Sequence, residues 1–236
     1  MKFSLRLAAA LAALLSPLGG TAARAQAASP RPKAEIRFTF EDPQLHPVRY
    51  SIRIEEDGAG WYESTAGGPL PTDKPNTGDG TISIFSPDQS RALHVSATLS
   101  ALLFQLARRN KLFAIPCQSH GKVAFNGSKT LEYRGPEGQG SCSYEWTKIK
   151  DINQVTTAFE GIALTINEGA RLALEQAHRP LALDKELDWL TQMVHQGDAL
   201  ELENIAPVLR AIALDNAVLK RDQRSADALL AGGKAR

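Results

Sequence analysis

The chain has 236 residues, of which 27 are Lys or Arg and 26 are Asp or Glu, giving a formal charge of +1. This balance excludes the basic excess with which nucleic-acid-binding proteins hold phosphates. The 43% apolar and 22% charged fractions are typical of a folded globular protein and exclude a disordered or low-complexity chain.

Residues 1–27 contain the three parts of a secretory signal peptide. Positive charge at Lys2 and Arg6 precedes a short apolar run, and small residues then lead to an A-x-A pattern. This pattern predicts cleavage after Ala27, or after Ala25 in the alternative frame. The apolar run is shorter than the ~20 residues of a transmembrane helix, although an uncleaved N-terminal anchor is the alternative.

Cleavage would remove Lys2, Arg6 and Arg24, and would leave 24 basic and 26 acidic residues, a charge of −2. We therefore expect a periplasmic or secreted protein with no nucleic-acid partner, and the alanine-rich signal indicates a bacterial source. No later apolar stretch is long enough to span a membrane.

Residues 28–34 are predicted to be a disordered leader. Alternating apolar residues then predict strands at 35–40, 50–54, 61–64 and 81–85. Asp57-Gly58 provides turn chemistry, so the second and third of these strands are predicted to form a hairpin. Residues 66–80 are rich in glycine and proline and predict a long surface loop.

A helix is predicted at 97–109, because leucines recur at helical spacing. Ser96 or Thr98 would cap its start, and Asn110 would leave the helix in the left-handed conformation. The apolar residues that follow, Phe113 among them, are expected to lie beneath the sheet.

Residues 122–147 are predicted to form a three-stranded meander. Asn126-Gly127 between alternating runs is the strongest short-range hairpin signal, and the glycines of 135–140 predict a second turn. Cys142 would lie on the third strand and Cys117 just before the first.

Cys117 and Cys142 are the two cysteines of the chain, and in an exported protein such a pair predicts a disulfide. Two alternatives stay open. The cysteines could be free thiols, or Cys117 and His120 could belong to a metal site, although a structural zinc needs four ligands and no second spaced pair is present.

Helical periodicity replaces the strand pattern from residue 151 onward. Four helices are predicted, at 151–178, 184–197, 200–214 and 216–230. Pro207 is tolerated in the third only if that helix effectively starts near Asn204 or is kinked. The fold class is therefore α+β: an antiparallel sheet packed against helices over residues 35–178, followed by a helical C-terminal extension over 179–236.

The sequence contains no nucleophile elbow, phosphate-binding loop, dinucleotide fingerprint or His-Glu-x-x-His motif. We therefore assign no catalytic, cofactor-binding or metal-binding residue and expect no cofactor. The densest acidic cluster, Glu55 to Asp57, is interpreted as a solvated hairpin tip. The three tryptophans are interpreted as core residues, and the five histidines are scattered, with His178 and His195 in the last turns of helices.

The chain resembles exported α+β proteins of bacteria, a family with no assigned activity. The resemblance covers residues 35–178 and depends on three features: Tyr50 to Tyr62 with its glycine-rich tip, the helix ending at Leu112-Phe113, and Lys122 to Tyr133. These motifs are structural turns, so the resemblance implies a fold and no functional residues.

The leading hypothesis is an exported, non-enzymatic protein that binds a protein or envelope partner. It depends on an ordinary core, a predicted disulfide and the missing catalytic motifs. The alternative is an exported hydrolase whose carboxylate or histidine site converges only in three dimensions. A third hypothesis is a structural, envelope-associated protein.

Overall fold

The computed structural model describes residues 33–66, 88–121 and 124–233. The predicted signal peptide, the predicted strand at 81–85 and all but the first residue of the predicted loop at 66–80 lie outside these residues. Lys33 and Ala34, at the end of the predicted leader, contact the sheet: Ala34 is buried, and the Lys33 amine lies 2.7 Å from an Asp57 carboxylate oxygen.

In the part of the chain that the structure describes, six antiparallel strands form one sheet in the order β4-β3-β2-β1-β5-β6. Their bounds are Glu35–Glu41 (β1), Arg49–Glu55 (β2), Ala59–Thr65 (β3), Gln89–His94 (β4), Ser128–Gly135 (β5) and Gly138–Tyr144 (β6). The three strands predicted between 35 and 64 are confirmed, including the hairpin of β2 and β3. β4 was not predicted.

Within the described residues, five α-helices accompany the sheet: α1 (Ala97–Arg109), α2 (Lys150–His178), α3 (Leu183–Gln196), α4 (Ala206–Leu214) and α5 (Lys220–Gly233). The α+β class is therefore correct. Ser96 caps α1 through its side chain, as expected, and Pro207 lies in the first turn of α4. None of the described helices is both long and apolar enough to cross a membrane.

The helices cover one face of the sheet. Phe38 of β1 stacks on Phe159 of α2 with ring centroids 5.2 Å apart, and Phe104 of α1 meets Tyr133 of β5 edge-on. α2 also contributes Leu172 to a second buried cluster formed by α3, α4 and α5. The long helix therefore belongs to two hydrophobic cores, one beneath the sheet and one among the C-terminal helices.

Two polar side chains join the C-terminal region to the sheet. The Asn204 side-chain amide accepts a hydrogen bond from the His94 backbone N–H and donates one to the His94 carbonyl, both at 2.8 Å. It therefore forms the backbone hydrogen bonds that a neighbouring strand would form at the end of β4. Glu201 accepts hydrogen bonds from the Ser96 backbone N–H and hydroxyl at the start of α1. These contacts satisfy backbone groups that would otherwise be open to water.

The three-stranded meander predicted at 122–147 is correct in its second half and wrong in its first. β5 and β6 pair through the turn at 135–138, and Cys142 lies on β6, as predicted. The described residues 124–127 form no strand, Phe125 is exposed, and the other neighbour of β5 is β1. Two separate features favour glycine at position 127: its φ is positive, at 72°, and it packs closely against Phe40. A Cβ there would lie 2.4 Å from the Phe40 ring.

The expectation of a left-handed Asn110 is also wrong, because the left-handed residues are the next three, Lys111, Leu112 and Phe113. Three consecutive non-glycine residues in this region are unusual, since each costs roughly 1–2 kcal/mol. Burial of Phe113 offsets part of this cost.

We expect Lys111→Gly to raise the free energy of unfolding by about 0.5–1 kcal/mol, because glycine adopts φ of 54° without steric cost while Lys111 buries nothing. Urea unfolding measures the change. The control is Ala101→Gly on the exposed side of α1, which should lower the free energy by about 1 kcal/mol. A loss of stability in Lys111→Gly would show that the left-handed turn carries no strain at this position.

Candidate functional site

The face of the sheet opposite the helices is the candidate site. Strand alternation places Arg37, Arg53, Trp61 and their neighbours on this side, and none of the outward-facing side chains described on the six strands is buried. We call this surface the open face. Its chemistry is mixed, because it carries four arginines and five glutamates: Arg37, Arg49, Arg53, Arg134, Glu35, Glu41, Glu55, Glu63 and Glu132.

Three adjoining depressions of about 550, 350 and 290 Å³ lie on the open face. The largest is lined by Glu35, Arg53 and Arg134 among others, and the second by Arg53 and Trp61. Arg37 contributes to all three depressions. The centre of the face is therefore concave, and one arginine connects its parts.

Strand register fixes which side chains are neighbours at this centre. Arg37 of β1 lies directly opposite Arg53 of β2, and Arg53 lies opposite Trp61 of β3. Two positive charges face each other across adjacent strands, an arrangement that destabilises a sheet. Arg53 has one carboxylate nearby, that of Glu35 at 3.6 Å.

Trp61 lies on the surface, with 37% of its area exposed. Its indole N–H donates to the Ser90 hydroxyl at 3.2 Å, which anchors one edge of the ring on β4. The interpretation of the tryptophans as core residues is therefore wrong for Trp61, and equally for Trp189 of α3, which is 40% exposed. An anchored, exposed aromatic ring is typical of a contact residue in a binding surface.

A second group of polar residues lies under the sheet, between its inner face and α2. Burial lowers the pKa of Lys129 and raises the pKa of Glu160. The charge of each group partly opposes the pKa shift of the other. The Lys129 amine donates to the carbonyls of Asn126, Gly127 and Glu145 and lies over the Phe40 ring. This lysine therefore holds the loop before β5 against the end of β6.

The buried tyrosines of this layer are also bonded within the protein. Tyr62 donates its hydroxyl to the Asn167 side chain at 2.7 Å, and Tyr144 bonds Thr156. Burial raises the pKa of both phenols to about 12. Both phenols therefore stay neutral at physiological pH, and their hydrogen bonds to Asn167 and Thr156 stabilise the packing of α2 on the sheet.

A third group consists of carboxylates among the C-terminal helices. Burial, together with the charge of Glu186, raises the pKa of Glu168 to about 8. One Glu168 oxygen has no hydrogen-bond partner in the described part of the chain. Glu186 pairs with Arg171 at 2.7 Å, and Glu175 with Arg179 at 2.6 Å.

The residues singled out by the sequence are mostly engaged elsewhere. Cys117 and Cys142 lie at disulfide distance, with Cα atoms 5.7 Å apart, as predicted. Cys117 is therefore not a partner for His120 in a metal site. In the described ranges, no group of three or more His, Cys, Asp or Glu side chains could hold a metal ion. His178 and His195 do lie in last helical turns.

The acidic cluster at the β2–β3 turn is neutralised by its surroundings. Lys33 binds Glu55 and Asp57, and Arg108 of α1 binds Glu56 at 2.7 Å and Glu137 at 2.7 Å. Together with the Tyr133 hydroxyl, Arg108 lowers the pKa of Glu137 to about 2. Glu56 and Asp57 remain exposed, so the hairpin tip is solvated, as the sequence indicated, and surface ion pairs connect it to α1.

No protein-family model matches the chain, and no curated protein matches its sequence.

Proposed function

We propose that the chain is an exported binding protein whose open face takes up another protein. The observation that carries this proposal is the exposed Trp61 beside Arg53 and Arg37, at the concave centre of a sheet face that no described element covers. Tryptophan and arginine are the residues most enriched among the energetic centres of protein interfaces.

The dimensions of the open face fit a protein partner. Six strands at about 4.8 Å spacing and about seven residues at ~3.3 Å give a patch of roughly 30 by 23 Å. This projected area, near 700 Å², approaches the ~800 Å² that each partner contributes to a standard interface. The mixed charge of the rim also suits a protein, because non-obligate interfaces have a polar rim around their centre.

Two features support the export part of the proposal. The N-terminal sequence has the pattern of a signal peptide, and the cysteines lie at disulfide distance, as expected in the periplasm or outside the cell. The alternative function, an exported hydrolase, has less support. Lys129, Glu160 and Glu168 line none of the three depressions on the open face.

The proposal is tested with a photo-crosslinking amino acid at position 61 of the full chain, produced in its own organism. Position 189 is the matched control, because Trp189 is equally exposed but lies on α3. We expect one defined protein adduct from position 61 and none of that protein from position 189. Adducts shared by both positions, or only polysaccharide adducts, would contradict the proposal.

With the captured protein in hand, we expect Trp61→Ala to weaken its binding about tenfold or more, because a central tryptophan typically contributes above 1.4 kcal/mol. Trp189→Ala should leave the affinity within twofold. Calorimetric titration of both purified variants measures the difference, and thermal unfolding confirms that each is folded. Equal affinities would remove Trp61 from the interface.

A further inference from the structure

We infer that Arg37 and Arg53 form a carboxylate-binding subsite, and that the partner inserts an acidic side chain followed by an apolar one. This inference rests on the proposed function, because it names the chemistry of the partner that the open face would take.

Like charges that face each other in the sheet are compensated unevenly. Two like-charge pairs face each other across β1 and β2: Glu35 with Glu55, and Arg37 with Arg53. The acidic pair is neutralised, since Lys33 binds Glu55 at 3.0 Å and Arg53 lies 3.6 Å from Glu35. The basic pair has only that same Glu35 contact.

Arg37 is the unpaired member. Within the described ranges, its guanidinium makes no ion pair within 4.0 Å and no side-chain hydrogen bond, although Glu132 lies opposite it on β5. A planar guanidinium offers a fork of donors that binds a carboxylate through two parallel hydrogen bonds. A carboxylate placed between Arg37 and Arg53 would turn their repulsion into attraction.

The surroundings restrict what can carry that carboxylate. Glu35, Glu63 and Glu132 surround the arginine pair and would repel a dense polyanion such as a nucleic acid, a polyphosphate or an anionic membrane. A single acidic side chain on a peptide meets much less of this repulsion, because it carries only one negative charge. Because Trp61 lies opposite Arg53, the residue next to the acidic one would meet the indole ring.

The test uses the full chain and the peptide Ac-Phe-Glu-Phe-Gly-NH₂, followed by the arginine side-chain N–H signals in NMR at low salt. We expect the signals of Arg37 and Arg53 to shift on titration, and those of Arg210 on α4 to stay. The matching peptide with Gln in place of Glu should bind at least fivefold more weakly.

Variants then locate the subsite. Arg37→Gln and Arg53→Gln are each expected to weaken peptide binding at least fivefold, whereas Arg210→Gln, on the exposed side of α4, should change it less than twofold. Equal weakening by all three variants, or tighter binding of polyphosphate or of phosphatidylglycerol vesicles than of the peptide, would overturn the inference.

The two proposals fail separately. A protein captured at position 61 whose affinity is unchanged by Arg37→Gln and Arg53→Gln would overturn the subsite and leave the binding function standing. Peptide binding at Arg37 and Arg53 without any protein captured at position 61 would overturn the protein-binding function and leave the carboxylate subsite standing.

Discussion

Removal of the bond between Cys117 and Cys142 is expected to lower the free energy of unfolding by about 3 kcal/mol. The two cysteines are 25 residues apart in sequence, and closure of a loop of this length removes conformational entropy from the unfolded chain. Both residues are buried, so Cys117→Ala with Cys142→Ala leaves no polar group without a partner.

Urea unfolding of the wild type and the double variant measures this loss, and a reductant supplies the control. Dithiothreitol should lower the unfolding midpoint of the wild type to that of the double variant and leave the double variant unchanged. An oxidised wild type that unfolds at the same midpoint as the reduced one would show that the bond contributes no stability.

The loss should also be uneven across the structure. Without the bond, the segment after α1 keeps its hydrogen bonds from Ser119 to the Trp146 carbonyl and from the Glu145 N–H to Gln118. Both of these contacts lie just after the end of β6, which is an edge strand of the sheet. Because β1 lies inside the sheet, we expect amide exchange to accelerate at β6 before it accelerates at β1. Uniform acceleration would mean that the bond acts only through the unfolded chain.

Several elements of the fold were visible in the sequence because burial alternates along them. Inward residues such as Ile36, Phe38 and Ile52 are apolar at every second position, which is the pattern of a strand covered on one side. The stripe along α2 was visible for the corresponding helical reason.

β4 could not be predicted because most of its inward positions are polar. Of these, Leu93 is apolar and buried, whereas Gln89 bonds Asn167 of α2, and Arg91 bonds the Asn204 carbonyl. The partners lie 78 and 113 residues away in sequence, so no local pattern could show why a strand with polar inward residues is stable.

The open face was partly predictable and partly not. The hairpin of β2 and β3 was predicted, and Tyr62 and Ser64 point inward, so the alternation alone places Trp61 outward. The interpretation of Trp61 as a core residue is inconsistent with this alternation, which places it on the face opposite Tyr62. The meeting of Arg37 with Arg53 required the register of β1 on β2, which the local sequence does not encode.

The second large effect concerns pH, and it centres on Glu168. Burial raises its pKa to about 8, well above the ordinary value of 4.5, and the negative charge of Glu186 adds to this rise while Arg171 opposes it. Between these two pH values the folded chain binds a proton that the unfolded chain has released. Stability from this group is therefore complete below pH 4.5 and is lost as the pH rises toward 8.

We expect Glu168→Gln to remove this dependence, because the amide is neutral at every pH and has nearly the same shape. At pH 8.5 the variant should be more stable than the wild type by on the order of 2–4 kcal/mol, and at pH 5 the two should differ little. Denaturant unfolding at pH 5, 7 and 8.5 provides the comparison, with the exposed Glu203→Gln as the matched control.

The companion variant Glu186→Gln separates burial from charge repulsion. It removes the charge that faces Glu168 but also the 2.7 Å partner of Arg171, so the pH dependence should become smaller without disappearing. Full loss of the dependence in Glu186→Gln would mean that repulsion, and not burial, dominates at Glu168. Parallel stability curves for the wild type and Glu168→Gln from pH 5 to 8.5 would show that this carboxyl group is ionised in the folded protein throughout, and therefore that water reaches it between α2 and α3.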